Sequence, residues 1–328
     1  MRRLIVLLFL AVAAWGAYVV LAPAGTYKEV FVEILPGTPS MQIAAQLKQR
    51  GLVRSKYAFE AERLVKGGTL KAGEYRFDHP APMSEIYARL ERGDVYTISV
   101  TIPEGSNLFD VAERIESANL GTKDNFLASA RAHVSLIADL DPEATSLEGY
   151  LFPDTYRFAR HVTPVQILAA MVKRFRQEAT ELGLTRDYHQ IVTVASLVER
   201  ETPIDAERPL VASVFENRLA KKMPLETDPS VIYAALLEGR YRGTIYASDL
   251  QADSPYNTYR FPGLPPGPIC NPGAASLKAA LHPAHTDYLY FVAASANPSG
   301  KSRFSTTLQE HARDVEHYRK ALRAGGTR

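Results

Sequence analysis

Cysteine is almost absent from this chain, Cys270 being the only one in 328 residues. An intramolecular disulfide is thereby excluded, so stability must come from packing even in an oxidising compartment. Cys270 lies far downstream of the N-terminal apolar run, so no lipobox is available. Charge of one sign is equally scarce: 38 basic and 36 acidic residues leave a net charge of +2. That is too little for a nucleic-acid footprint. Metal-ligand spacing is missing too, since His282 and His285 are interrupted by Pro283 and lack acidic companions. Neither a metal nor a cofactor is expected. Ser196 has no G-x-S-x-G elbow around it, which argues against serine-hydrolase chemistry. Cys270 carries no nucleophile signature and reads as a small buried residue.

What the chain does have is one long apolar run. Leu4 to Leu21 is eighteen positions without a charge, and as a helix it would span roughly 27 Å, enough for a thin hydrocarbon core. Arg2 and Arg3 precede it, and Trp15 and Tyr18 sit toward its far end, where amphipathic rings favour the membrane interface. The positive-inside rule keeps residues 1–3 in the cytoplasm and places everything after Leu21 outside a cytoplasmic (inner) membrane. A cleaved signal peptide is the competing reading, because Ala22-Pro23-Ala24 loosely imitates an A-x-A site. However, the run exceeds the usual ~7–15-residue apolar region of such peptides, and proline disfavours cleavage. An uncleaved single-pass anchor is expected.

The remaining chain, 46% hydrophobic and 23% charged overall, is long enough for two globular domains. It contains an internal repeat at an offset of 68 residues. Val32-Glu-Ile-Leu-Pro-Gly37, with Ile43, Ala44 and Leu47 behind it, matches Val100-Thr-Ile-Pro-Glu-Gly105, with Val111, Ala112 and Ile115. Leu52 and Leu120 close the two copies. Each copy predicts an alternating strand, a Pro/Gly turn and an amphipathic helix. The first continues with a helix over 55–66, a strand over 70–77 and a helix over 84–92 that Gly93 stops. A boundary is expected near Asp141-Pro142. Beyond it helices are expected over 164–182, 187–201, 206–221, 229–237 and 273–281, with a strand over 288–293. The basic helix over 311–323 reads as a solvated amphipathic face.

The helix over 187–201, DYHQIVTVASLVERE, carries the most chemistry. It is apolar nearly all round from Ile191 to Val198, which predicts burial, and Pro203 pushes Thr202 out of the α region. Two glutamates stand in its last turn. Glu201 shares a face with Val198, Leu197, Val194 and Ile191, whereas Glu199 shares a smaller, more polar one with Ser196, Ala195 and Val192. A carboxyl among bulky apolar groups at the negative end of a helix dipole has a raised pKa, as a general acid needs. Spacing favours Glu201 over Glu199. It leaves open the alternative that a helix-end glutamate merely pairs with Arg200 or Arg208.

Ala195-Ser-Leu-Val-Glu-Arg-Glu-Thr202 resembles the signature of MltG-type (YceG-like) endolytic murein transglycosylases. Further segments follow in family order: Glu148-Gly-Tyr-Leu-Phe-Pro-Asp-Thr-Tyr156, Thr227-Asp-Pro-Ser-Val-Ile-Tyr233, Pro255-Tyr-Asn-Thr-Tyr259, Gly263-Leu-Pro-Pro-Gly267, Asn271-Pro-Gly273, His282-Pro-Ala284 and Tyr288-Leu-Tyr-Phe-Val-Ala293. The resemblance covers nearly the whole chain and implies an α+β fold. That fold would comprise an anchor over 4–21, a small LysM-like module over 27–97, a second strand-helix repeat unit and connection over 98–145, and a mainly helical catalytic domain with a short sheet over 146–328. By the same resemblance Glu201 is the catalytic acid of a lyase. It would cleave the β-1,4 bond from N-acetylmuramic acid to N-acetylglucosamine within a glycan strand and leave a 1,6-anhydro end. Peptidoglycan strands are then the substrate, and peptidoglycan synthases the implied partners.

Substrate-binding candidates are Thr227, Asp228, Tyr256, Asn257 and Tyr259. Asp228-Pro229 reads as an N-cap followed by proline at N1, with a cleft carboxylate as the alternative. Tyr256, Asn257 and Tyr259 could stack on and hydrogen-bond a sugar, or could serve turn chemistry. Gly263–Gly273 is expected to shape a cleft wall, with Asn271-Pro272 opening the next helix. Glu148 and Asp154 could face the substrate, but carboxylates in such loops more often cap helices or pair with arginines. Two rivals stand beside the lyase: a hydrolytic muramidase using Asp228 as second carboxylate, and a noncatalytic glycan-binding scaffold.

Overall fold

In the computed structural model, residues 2–325 apart from Ala296, Pro298 and Ser299 are described. Among them the chain is mixed α+β, with thirteen α-helices and three two-stranded sheets. It divides into two compact units, Met1–Ile98 and Ser99–Arg328.

The first unit begins with α1 (Arg2–Leu21), of which only Val19 is buried. The helix is long and apolar enough to cross a membrane. Its far end is tied to the unit by Arg54, which stacks over the Tyr18 ring at 4.6 Å and donates to the Pro23 carbonyl at 2.7 Å. Then follow β1 (Val30–Ile34), α2 (Ser40–Gln49), α3 (Lys56–Lys66), β2 (Gly73–Phe77) and α4 (Met83–Arg92). Strands β1 and β2 pair antiparallel, Val32 opposite Tyr75 and Ile34 opposite Gly73. Alternation turns Val32, Ile34, Tyr75 and Phe77 into the core, where Leu47, Phe59, Ile86 and Leu90 meet them. Ser55, expected inside α3, instead caps it by accepting the Ala58 N–H. The second strand starts at Gly73, later than alternation suggested.

The second unit opens by repeating the first. Strand β3 (Ile98–Thr101), α5 (Leu108–Ser117) and α6 (Lys123–Ala132) follow the order of β1, α2 and α3. The predicted equivalences hold in burial: Val32 and Val100, Ile34 and Ile102, Leu47 and Ile115, and Leu52 and Leu120 are all core residues. The turns of the two copies carry Gly37 and Gly105 at φ 79° and 74°, a conformation open to glycine without steric cost. The strand that pairs with β3 is β4 (Thr155–Phe158), inside a segment read from sequence as loop. Asp141 marks no seam, because it is buried, accepts the Tyr150 hydroxyl at 2.6 Å and bonds His189 Nδ1 at 2.9 Å. Residues 99–145 therefore lie within the second unit.

Seven further helices follow: α7 (Pro164–Glu181), α8 (Tyr188–Glu201), α9 (Arg208–Ala220), α10 (Asp228–Leu237), the short α11 (Ala247–Leu250), α12 (Ala274–Leu281) and the C-terminal α13 (Leu308–Gly325). Between the last two, β5 (Tyr290–Ala293) and β6 (Ser302–Ser305) form an antiparallel pair. Helix α8 is central, with α9, α10 and α12 packed on it. The C-terminal helix is not wholly solvated: it packs on β5 and β6 and turns His311 toward them.

Candidate active site

Residues Val192–Val198 of α8 are all buried, as expected of a helix apolar on every side. The loop over 263–273 is stitched to it, for Ser196 Oγ accepts the Ile269 N–H at 3.0 Å and Cys270 Sγ donates to the Ser196 carbonyl. The segment Glu148–Phe152 closes down on the same helix at Gly149. That residue has φ 88°, and a Cβ there would sit 2.5 Å from Pro268 and 2.8 Å from Val192. Such contact explains why only glycine fits.

The two glutamates at the end of α8 have different surroundings. Glu199 is buried and accepts from Arg208 Nη1 at 2.9 Å and from the Gly273 N–H at 3.0 Å. Arg208 also donates to Ser276 Oγ at 2.6 Å. Glu199 thus ties α8 to α9 and the start of α12. Glu201 makes no ion pair among the described residues and faces a cleft of about 410 Å³. Burial pushes its carboxyl up to about 7 from an ordinary 4.5. The Thr227 hydroxyl opposes that rise, the Asp228 charge adds to it, and Arg218 opposes it.

Arg218, Glu226, Asp228, Tyr259 and His311 share the cleft with Glu201, over apolar walls that include Phe215 and Phe291. Asp228 is not the cap of α10. Thr227 occupies the N-cap, and Asp228 is the first helical residue, its charge at the positive end of the helix dipole. The Tyr259 hydroxyl donates to Asp228 Oδ1 at 2.6 Å. Burial, and then Asp228 itself, raise the tyrosine's pKa, so the phenol remains a donor. Thr227 is buried and its N–H donates to Thr258 Oγ1 at 3.0 Å. Its own hydroxyl has no partner of hydrogen-bond geometry, although it is close enough to Glu201 to favour the carboxylate.

Tyr256 and Asn257 are not brought to this cleft. Asn257 is wholly buried and donates to the Leu250 and Ala252 carbonyls at 3.0 and 2.9 Å, while its Oδ1 accepts the Tyr259 N–H at 3.2 Å. It shapes the loop that presents Tyr259. Tyr256 packs edge-on against Tyr233, ring centres 5.1 Å apart, and lines a separate cavity of about 290 Å³. Glu148 caps α5, accepting the Leu108 N–H at 2.9 Å, the Tyr233 hydroxyl at 3.0 Å and Asn271 Nδ2 at 3.2 Å. Burial pushes it up to about 8. Asp154 is paired with Arg174 at 2.8 Å. Asn271, expected to open a helix, is instead a buried link that also donates to the Ser106 carbonyl and accepts the Leu151 N–H; α12 starts three residues later.

Arg218, Glu226 and His311 were not singled out from sequence. Arg218 follows Glu216 and Asn217 near the end of α9 and is held by the Leu289 and Pro224 carbonyls and by Glu226 Oε2, at 2.7, 3.0 and 3.1 Å. Its position in a polar Glu-Asn-Arg run gives no sequence signal of burial, which only the structure reveals. For His311 the signal was its phase on α13, shared with the half-buried Asp314, Val315 and Tyr318.

A model of the YceG-like family matches residues 32–317. The endolytic murein transglycosylase of Bacillus subtilis (strain 168) is 36% identical over 312 residues, covering 88% of this chain and 84% of that one. Its namesake from Streptococcus pneumoniae serotype 2 is 29% identical, covering 96% of this chain and 65% of the relative. A crystal structure of a YceG-like protein from Listeria monocytogenes superposes with a TM-score of 0.57 at 34% identity, over 88% of this chain and 99% of that one. With its signature glutamate facing a cleft and the family match running over most of its length, this chain belongs to the YceG-like family.

Proposed function

We propose that the chain is an endolytic murein transglycosylase, a lyase that cuts within peptidoglycan glycan strands with Glu201 as its general acid and then base. The observation carrying this reading is the Glu201 carboxyl itself: unpaired, burial-shifted to about 7 and open to a cleft. Near neutral pH such a group exists in both protonation states, as a residue serving two successive proton transfers requires. The names of the relatives at 36% and 29% identity support the substrate.

In the reaction, protonated Glu201 donates its proton to the glycosidic oxygen as the C1–O bond of N-acetylmuramic acid breaks. The resulting carboxylate takes the proton of the muramyl 6-hydroxyl, whose oxygen bonds to C1. The products are a free 4-hydroxyl on N-acetylglucosamine and a 1,6-anhydro end, and no water is consumed. One carboxyl serves both steps, whereas most hydrolases need two. Thr227, Asp228 and Tyr259 border the reacting group as substrate-binding residues, and Asn257 and Tyr256 support the loop and wall beside them. Helix α1, with Arg2 and Arg3 on its cytoplasmic side, anchors the chain in the inner membrane. The first unit acts as a LysM-like glycan-facing module, a reading supported by its strand-helix-helix-strand order. The active site then works close to the bilayer, where synthases extrude new strands.

Mass spectrometry of glycan strands treated with the full chain and with Glu201→Gln tests this. Wild-type protein should release ends one water lighter than hydrolysed ones, and the variant should bind glycan without cutting it. The presence of Asp228 in the cleft favours a second reading, a muramidase, which hydrolysed ends would establish. Cleavage by Glu201→Gln at the wild-type rate would remove Glu201 from the mechanism, and absence of any cleavage by wild type would leave a scaffold.

A further inference from the structure

His311 lies in the first turns of α13 and lines the same cleft as Glu201. Its ring is stacked on Tyr290, with centroids 5.1 Å apart and planes 21° from parallel. Tyr290 in turn lies under the Arg218 guanidinium at 5.1 Å, and Arg218 is fixed by the carbonyl and carboxylate bonds described above. The plane of the imidazole is therefore set by packing.

Among the described residues neither imidazole nitrogen has a hydrogen-bond partner. Nδ1 is shut off from solvent without a hydrogen-bond partner. Among the described residues Nε2 has no protein partner either and is not shut off from solvent, which, with His311 lining the cleft, leaves it as the nitrogen able to meet a ligand. A buried orphan nitrogen is unfavourable, and a phenyl ring would stack on Tyr290 equally well without it. Burial first, and Arg218 second, hold the ring below its usual pKa, against Asp314 on its own helix and Glu226 across the cleft. His311 therefore faces the cleft uncharged. With no acceptor or donor at Nδ1 to lock a tautomer, Nε2 can either donate or accept.

From this geometry we infer that His311 is a glycan-contacting residue, its Nε2 hydrogen-bonding an uncharged polar group of the sugar, a hydroxyl or an acetamido, next to the bond that Glu201 attacks. The inference rests on the glycan-cleaving reading of the cleft. A neutral imidazole with one free nitrogen suits such groups better than phosphate or carboxylate, which would favour a cation.

The test uses full-length protein in detergent with purified glycan strands. His311→Phe keeps the stacking ring and removes the nitrogens. It should lower kcat/KM about tenfold, the worth of one net hydrogen bond, mainly through KM, with a melting temperature unchanged or raised and the same product mass. His311→Gln, whose amide reaches the Nε2 position, should recover most of that loss, and His311→Asn, which reaches only the Nδ1 position, should not. Wild-type kcat/KM in His311→Phe overturns the inference. So does equal loss in all three variants accompanied by lowered melting temperatures, which would mean a packing role. Binding measured in a Glu201→Gln background separates this inference from the proposed reaction. If wild type makes no anhydro ends but His311→Phe still weakens glycan binding in that background, the reaction is wrong and the contact stands.

Discussion

Glutamine at position 201 should silence the enzyme and, above neutral pH, stabilise it. The Glu201 carboxyl rises from 4.5 to about 7 in the folded chain, chiefly through burial. A raised carboxyl pKa means that the native state holds its proton more tightly than the unfolded chain. The contribution of this carboxyl to stability is therefore greatest below about 4.5, falls as pH rises through the window from 4.5 to about 7, and is level above it. The full shift corresponds to about 3 kcal/mol. Partial exposure of Glu201 to the cleft screens this, and about 1–2 kcal/mol is the reasonable expectation. For a unit of this size that amounts to roughly 2–8 °C in melting temperature. An amide has no charge to desolvate, so the difference between Glu201→Gln and wild type should be near zero at about pH 4 and full at about pH 8. Glu148, pushed up to about 8, titrates identically in both proteins and cancels. Thermal unfolding of both full-length proteins across that range is the assay. A variant no more stable than wild type at about pH 8, or one offset by the same amount at both ends, would refute the reasoning.

The same carboxyl predicts that kcat/KM falls above about pH 7, as the general acid loses its proton. Asp228→Asn removes a charge that raises Glu201, and should move that falling limb to lower pH in a pH–rate profile. Tyr259→Phe deletes the 2.6 Å bond to Asp228 and should reduce kcat/KM by about tenfold or more in steady-state assays, the scale of a hydrogen bond to a charged group. Glu199→Ala should behave oppositely to Glu201→Gln. It leaves Arg208, whose side chain is only 6% exposed, with the exposed Asp205 at 3.2 Å as its remaining carboxylate, at a cost of about 3 kcal/mol, the lower end for breaking a buried pair. Denaturant unfolding should report that loss, and surviving protein should still yield the same product.

Local and periodic information sufficed for a good part of this molecule. The span of α1 follows from eighteen uncharged residues between arginines and an aromatic pair. The repeat at offset 68 is carried by apolar spacing, and each matched position is buried because strand and helix periods place it on one face. That two glutamates in α8 must point different ways follows from helical geometry alone. Two strands were not legible: β4 and β6 lie outside the repeat and show no apolar run like that of β5, and they exist because another strand pairs with them. Which glutamate would be neutralised was also a tertiary decision. Arg208 and Gly273 reach Glu199, and among the described residues nothing with a positive charge pairs with Glu201. Tyr259 turns into the cleft while its neighbours Tyr256 and Asn257 turn away, a difference set by which loop carbonyls claim the Asn257 amide. Arg218 and His311 come from helices almost a hundred residues apart in sequence, and only folding brings them beside Glu201. Sequence determined the long apolar N-terminal helix, the repeat and the helix bearing Glu199 and Glu201, because those depend on period and composition. Tertiary structure alone decided which charges meet, because pairing and desolvation depend on neighbours remote along the chain.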